Sequence, residues 1–404
     1  MTEKDDHPTC PGRRYDVVLF GATGFAGGLT ADYLVEHLPE SGRMALAGRN
    51  RDKLEAVRDR LTGINPDVSD IGLLHADSTD PASLTEVARS AKVVITTVGP
   101  YLEYGAALVT ACAEEGTDYV DLTGEPEFVD RMFLGNDATA RKTGARLVHA
   151  CGFDSIPHDL GALYTARNLP ANAPMEIRGV VRTNASLSGG TLHSALKQLS
   201  RLRPMWQAAS QRRRAESPSA GRRARLAVGF PRRDRVTGTW LIPLPTIDGQ
   251  IVTRSALTAP SADDYGPDFS YSHNAGAKKF RTVPASLVGF VIGIAAVQIA
   301  PVRRAIARRI AAGEGPSQER RDRTWFTVEF VGTTAGRTVH TRVSGGDPGY
   351  TETAKMLAES ALSLAFDDNP ALAGQLTTAT AMGGNLIDRL TAAGMSFEVL
   401  SHTP

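Results

Sequence analysis

Short apolar runs separated by amphipathic stretches fill the first 150 residues. Tyr15 to Gly28 reads as a short, mostly apolar buried strand that breaks at Gly21, Gly24 and Gly27, followed by a helix-like run from Leu29 to Leu38. Met44–Ala47, Ile71–His75, Val93–Val98, Asp118–Leu122 and Arg146–His149 repeat the strand signal. Helix patterns lie between them, one starting at Asp52-Lys53-Leu54. Strands that alternate with helices predict a parallel, doubly wound α/β sheet of Rossmann type. Further along, Met175–Arg182 is β-like, and Trp325–Val331 and Arg337–Val343 alternate about Gly332–Gly336 as a β-hairpin of a second domain. Thr351–Phe366 is an amphipathic helix with Met356, Leu357, Ala361 and Leu364 on one face.

Gly21, Thr23, Gly24, Phe25 and Gly27 stand where the first strand becomes a helix. Glycine has no Cβ, so the chain can bend sharply there and a pyrophosphate can approach it closely. The helix beyond presents unpaired N–H groups and its positive dipole end to that anion. The GxxGxxG spacing is a variant of the dinucleotide fingerprint, and its place at the first strand–helix junction gives it weight. The end of the second strand selects the cofactor. NAD enzymes usually place an acid there to bond the ribose 2′-hydroxyl, and this chain has Gly48-Arg49-Asn50-Arg51. A guanidinium pairs with a 2′-phosphate that a carboxylate would repel, so Arg49, Asn50 and Arg51 predict NADP. Asp77, closing the third strand, is placed either to reach the adenine amino group or to cap the next helix. Gly99 and Pro100 follow the fourth strand and complete the expected cofactor loops.

Composition narrows the class. The chain has 404 residues, 42% hydrophobic and 22% charged, which is an ordinary globular balance with room for two domains. A net charge of +1 gives the whole molecule no electrostatic reason to seek nucleic acid. Cys10, Cys112 and Cys151 form no CxxC pair and no cluster with histidine, which argues against a disulfide scaffold or a zinc site and fits a reducing cytoplasm. Residues 1–13 read as a polar, disordered leader without the apolar core of a signal peptide.

Three further segments carry a family resemblance. Val98-Gly99-Pro100-Tyr101, Tyr119-Val120-Asp121-Leu122-Thr123-Gly124-Glu125 and Cys151-Gly152-Phe153-Asp154-Ser155-Ile156-Pro157 resemble the saccharopine dehydrogenase-like oxidoreductases. Ser188-Gly189-Gly190-Thr191 and Gly346-Asp347-Pro348-Gly349-Tyr350 are similar to segments of the trans-acting enoyl reductases within that family. The resemblance implies a Rossmann domain over 14–150, a second α+β domain over 151–345 around a mixed sheet, and a C-terminal helix in 346–404 that returns to the first domain. It also implies reduction of a carbon–carbon double bond by NADPH in an acyl thioester or polyketide substrate, presented by a carrier protein or a membrane. Leu376-Thr377-Thr378 departs from the Thr-Pro pair of relatives.

Enoyl reduction needs a proton donor and a group that polarises the carbonyl oxygen. None of the nine tyrosines has a lysine four residues later, which removes the Tyr-x-x-x-Lys donor. In the loop after the fourth strand, Tyr101 or Tyr104 is placed to face the reacting carbon, or else only to pack the turn. Ser155-Ile156-Pro157 reads as a helix start that Asp154 would cap, and His158 is either a proton relay or a structural residue. Cys151 reads as a small buried residue, not a nucleophile. Ser188–Thr191 opens a helix containing His193 and Lys197, either a second anion site or a plain helix start.

The middle of the chain is uneven in charge. Residues 201–235 hold eleven arginines against Glu216 and Asp234, which reads as a basic insertion, solvated or phosphate-binding. Residues 282–302 carry no charge and are followed by Arg303, Arg304, Arg308 and Arg309. This 282–309 stretch fits a helix lying on a lipid surface, a peripheral contact at the plasma membrane, or a helix buried in a homodimer interface. The leading function is an NADPH-dependent enoyl reductase. A dehydrogenase of an amino-acid-derived C–N bond and a non-catalytic NADP-binding lipid-associated protein remain as alternatives.

Overall fold

The computed structural model describes residues 12–66, 68, 70–185, 198, 200–219, 221–261, 264–279 and 315–403. Six early strands build the first sheet: β1 (Tyr15–Phe20), β2 (Met44–Gly48), β3 (Gly72–His75), β4 (Ala91–Thr96), β5 (Asp118–Asp121) and β6 (Arg146–Val148). Seven helices accompany them: α1 (Phe25–His37), α2 (Arg51–Ile64), α3 (Pro81–Ser90), α4 (Tyr101–Tyr104), α5 (Ala106–Glu115), α6 (Pro126–Thr143) and α7 (Ile156–Arg167). β1 is buried along its whole length because it lies between β2 and β4 with both faces covered. Val17 and Leu19 pack into one core and Val18 and Phe20 into another, so successive residues of this strand serve opposite faces. The expected α/β Rossmann sheet is present, and its pairings are parallel throughout.

The second sheet is mixed. Its elements are β7 (Met175–Thr183), α8 (Leu202–Ala215), β8 (Arg223–Leu226), β9 (Arg232–Arg233), β10 (Trp240–Pro243), α9 (Ile247–Thr258), β11 (Asp268–Ala277), α10 (Gln318–Asp322), β12 (Phe326–Thr334) and β13 (Arg337–Gly345). β7 pairs parallel with β11 and antiparallel with β12. The β12–β13 hairpin is longer than its alternation suggested, and it turns on two residues, Ala335 at φ 45° and Gly336 at φ 82°. Two successive left-handed residues match the twist of an antiparallel pair, which is why Gly336 suits the second position. α7 crosses this sheet closely. A Cβ on Gly161 would sit 2.3 Å from the Phe330 ring, so only glycine permits the approach.

The C-terminal segment does more than return one helix. α11 (Thr351–Phe366) packs on α1 as its apolar face predicts, and β14 (Gly374–Leu376), α12 (Thr378–Ala381), α13 (Gly383–Ala392) and β15 (Ser396–Thr403) follow. β14 joins β6 in the first sheet, giving the order β14-β6-β5-β4-β1-β2-β3. β15 joins β13 in the second, giving β15-β13-β12-β7-β11-β10-β9, with β8 on β11. Neither strand is evident in the alternation pattern. β14 has only three residues, too short to show a period.

The arginine-rich stretch 201–235 divides: Arg203, Arg213, Arg214, Arg223, Arg225, Arg232, Arg233 and Arg235 are exposed, as a solvated basic segment expects, while Arg201, Arg212 and Arg222 are bonded into the fold. Arg212 is buried between Asp130 of α6, at 2.6 Å, and Glu216. Arg254 of α9 bonds the other oxygen of Glu216 at 2.8 Å. Arg201 grips Glu127 with two bonds, at 2.9 and 2.8 Å. Arg178 pairs with Asp234 at 2.7 Å, and Arg222 donates to the carbonyls of Ala256, Ser261 and Tyr265. Composition does not reveal the bonded ones, because Glu127 and Asp130, which pair with Arg201 and Arg212, lie outside the stretch. Residues 282–302 lie outside the described residues. Among those described, no helix is long and apolar enough to cross a membrane.

Glu216 is the shared acceptor of two buried guanidiniums, so Glu216→Gln is expected to destabilise the chain by about 3–5 kcal/mol, the cost of breaking a buried pair. Urea unfolding measures it. A loss below about 1 kcal/mol, typical of exposed pairs, would show that the network is not a structural unit.

Candidate active site

The first strand–helix turn is tighter than its sequence suggests. α1 begins at Phe25, four residues before the predicted Leu29, so Gly27 and Gly28 lie in its first turn. Gly21 takes φ 105°, a conformation that favours glycine, and its carbonyl accepts the Gly24 N–H at 3.0 Å. A Cβ on Gly27 would lie 2.1 Å from the Gly21 carbonyl oxygen, whereas one on Gly24 would meet only that oxygen, at 3.5 Å. Gly27 therefore permits the turn, and Gly24 keeps its outer surface open. Among the described residues no side chain caps α1, which leaves its first N–H groups open to an anion. Thr23 and Gly24 are exposed there. The Phe25 ring is engaged elsewhere, edge-on to Tyr350 at 5.0 Å and under the Arg321 guanidinium at 5.5 Å. What Phe25 offers a phosphate is its backbone.

The three residues after β2 separate in role. Asn50 caps α2, accepting the Lys53 N–H at 2.9 Å. Arg51 pairs with Glu55 at 3.0 Å, one turn along α2. Arg49 is exposed and forms no ion pair among the described residues. Of the three residues, Arg49 alone has no local side-chain partner among the described residues. Asp77 is not the cap of α3. That cap is Asp80, while Asp77 accepts the Thr79 N–H at 2.9 Å and hydroxyl at 2.8 Å, contacts that hold its carboxyl below the usual range.

The loop after β4 abuts the glycine turn, and the Thr97 hydroxyl donates to the Gly21 carbonyl at 3.3 Å. Beyond the cis Gly99–Pro100 bond, α4 is held by the buried Glu125, which accepts the N–H groups of Tyr101 at 3.2 Å and Leu102 at 3.0 Å. Tyr101 packs the turn. Its hydroxyl is buried, donating to the Thr96 carbonyl at 3.1 Å and accepting from the Leu122 N–H at 3.2 Å, and burial pushes its pKa well above the ordinary value. Tyr104, one turn on, is 40% exposed.

The neighbouring loops are fixed by two buried carboxylates. Asp121 accepts from Tyr119 at 2.9 Å, from the Thr123 and Ala150 N–H groups at 3.0 Å each, and lies 2.6 Å from His149 Nδ1. Asp159 accepts from Ser255 at 2.5 Å, Thr378 at 2.7 Å and the Ala379 N–H at 2.8 Å. Cys151 is buried and its thiol is pushed up by that burial, as a small core residue requires. Asp154 does not cap α7, whose first turn has no side-chain cap. Its carboxyl lies against Gly124, where a Cβ would be 3.1 Å away, and burial with the nearby Asp248 charge raises its pKa to about 7.

His158 is wholly buried in a group that its sequence neighbours do not reveal. Its Nδ1 lies 3.1 Å from Asp248 Oδ1, and His273 Nε2 lies 3.4 Å from Asp248 Oδ2. The two imidazoles meet edge to face at 4.8 Å, and Phe153 packs on His158 at 5.4 Å. Burial disfavours a charged His158, but the Asp248 carboxylate outweighs it and the net shift is upward. Burial lowers His273 to about 4. Asp248 and His273 are 90 and 115 residues beyond His158, so no local motif signals the trio; only the convergence of α7, α9 and β11 assembles it. Ser188–Thr191, His193 and Lys197 lie outside the described residues.

Comparison with known proteins follows the same division. The saccharopine dehydrogenase NADP binding domain matches residues 17–148. A protein with a provisional trans-acting enoyl reductase name from Mycobacterium tuberculosis is 38% identical over 419 residues, covering 96% of this chain and 98% of its own. The trans-acting enoyl reductase of Mycobacterium bovis is 35% identical over 415 residues, covering 95% and 97%. Apo saccharopine dehydrogenase (L-Glu forming) from Saccharomyces cerevisiae shares the fold, with a TM-score of 0.52 at 12% identity, over 96% of this chain and 100% of its own.

The two glycines should separate by experiment. Gly27→Ala is expected to abolish NADPH binding and lower Tm, whereas Gly24→Ala should keep Tm close to wild type and weaken binding about tenfold, or about 1.4 kcal/mol. Calorimetric titration and thermal melts read both. Wild-type affinity in Gly27→Ala would remove the turn from the site.

Proposed function

This chain belongs to the trans-acting enoyl reductases built on the saccharopine dehydrogenase NADP-binding domain, and from that membership we propose that it reduces the α,β-double bond of an acyl or polyketide thioester with NADPH. The cofactor is NADP. The observation that carries the reading is the glycine turn, followed by an Arg49 that forms no ion pair among the described residues, within a chain aligned almost end to end with enoyl reductases. The residues fit the group: Gly21, Gly24 and Gly27 give the pyrophosphate its approach, and Arg49 supplies charge for the 2′-phosphate. When bound, the reduced nicotinamide supplies the hydride for the β-carbon.

The protein's own part is positioning and charge. Glu125 fixes the N-terminus of α4, and Thr97 ties the same loop to the Gly21 carbonyl. α4 therefore holds its position relative to the glycine turn without depending on the substrate. Tyr101 is committed to that scaffold. Tyr104 is the exposed hydroxyl of the loop, and we assign it to the substrate carbonyl, where a hydrogen bond stabilises the negative charge that develops as hydride arrives.

Purified chain mixed with NADPH and a series of 2-enoyl thioesters should consume NADPH and yield the saturated thioester in equal amounts. Binding of NADPH with no consumption across the series would overturn the reading. Arg49→Ala should cut the preference for NADPH over NADH by about tenfold or more, and Arg51→Ala, which loses only its Glu55 pair, by far less. Tyr104→Phe should lower kcat by about 100-fold, with the Kd for NADPH unchanged. An unchanged kcat would remove Tyr104 from the chemistry.

A further inference from the structure

Three side chains from three elements bring metal-ligating atoms together inside the second domain. His158 stands in the first turn of α7, Asp248 in the first turn of α9 and His273 in the middle of β11. One ligand atom from each lies within 4.8 Å of the other two, and all three residues are at most 5% exposed. The nearer pairs are separated by 3.1 and 3.4 Å. Ligand atoms about 2.0–2.2 Å from a tetrahedral Zn2+ have a separation in this range.

The hydrogen bonding points the same way. Among the described residues Nε2 of His273 is buried without a hydrogen-bond partner, and His158 and Asp248 face each other at 3.1 Å with atoms that lack well-aligned bonds to any other group. Buried polar atoms that face one another in one small group suit an occupant that serves several at once. The outer contacts are in place. Thr246 donates to Asp248 Oδ2, and the Tyr271 hydroxyl lies 3.2 Å from His273 Nδ1, leaving Nε2 turned inward. Such secondary bonds orient ligating imidazoles and carboxylates in metal sites.

We propose that His158, Asp248 and His273 bind one divalent transition cation of the zinc class. Two imidazoles and one carboxylate favour zinc, cobalt or ferrous iron over magnesium or calcium, which take oxygen ligands. The site is closed and ties α7, α9 and β11 together, so its role is to brace the second domain. It is independent of the enoyl reductase reading.

The test uses the full-length, tag-free chain, stripped with chelator and titrated with Zn2+. About one equivalent should bind by elemental analysis, Tm should rise, and Co2+ in place of Zn2+ should give the visible absorption of a low-coordinate nitrogen–oxygen site. Asp248→Asn and His273→Gln should each weaken Zn2+ binding by more than about 100-fold. NADPH titration of the same samples reports whether the first domain is intact. No stoichiometric Zn2+ and no rise in Tm in the wild type would overturn the site, leaving a histidine–carboxylate pair. So would variants that bind Zn2+ as well as the wild type. If the variants fail to fold, the wild-type stoichiometry, Tm and Co2+ spectrum decide alone.

Discussion

A carboxylate taken wholly out of water must find its hydrogen bonds within the protein, and Asp159 finds them on segments far apart in the chain. Ser255 reaches it from α9, and Thr378 and the Ala379 N–H from the start of α12. The anchoring carboxylate belongs to α7, the helix that follows the last early strand of the first sheet and crosses the second. One side chain thus ties three distant pieces of the chain together. The Asp121 hub does the same locally for the loops after β5 and β6.

On that frame the candidate site divides labour between backbone and side chains. The glycine turn, the uncapped start of α1 and the α4 loop are backbone devices, fixed by contacts such as Gly27 against the Gly21 carbonyl. The roles we propose for selectivity and chemistry fall to exposed side chains, Arg49 and Tyr104. Their neighbours Arg51 and Tyr101 have the same chemistry but are already satisfied, one by Glu55 and one by Thr96 and Leu122. What separates each pair is a partner, not a residue type.

That distinction also explains where reading the chain succeeds. The strand–helix alternation, the glycine turn, the β12–β13 hairpin and the Thr351–Phe366 helix are local patterns with a period, and the fold follows them to within a few residues. The start of α1 is misplaced because Gly27 and Gly28 look like loop residues until the close approach to Gly21 is known. Asp154 looks like a cap and instead lies beside Gly124, facing the charges of His158 and Asp248. Arg201 and Arg212 cannot be told from their exposed neighbours in 201–235 because Glu127 and Asp130, their partners, precede them by some 70 to 80 residues. The His158, Asp248 and His273 group has no local signature at all, since it exists only once β11 is paired with β7.

The two edge strands supplied late in the chain have a consequence for biosynthesis. β14 closes one flank of the parallel sheet and β15 one flank of the mixed sheet, and both lie within residues 374–403. While a ribosome is still making this stretch, the nascent polypeptide exposes the unpaired backbone of β6 and β13. Neither sheet therefore reaches its full width until residues 374–403 have joined it.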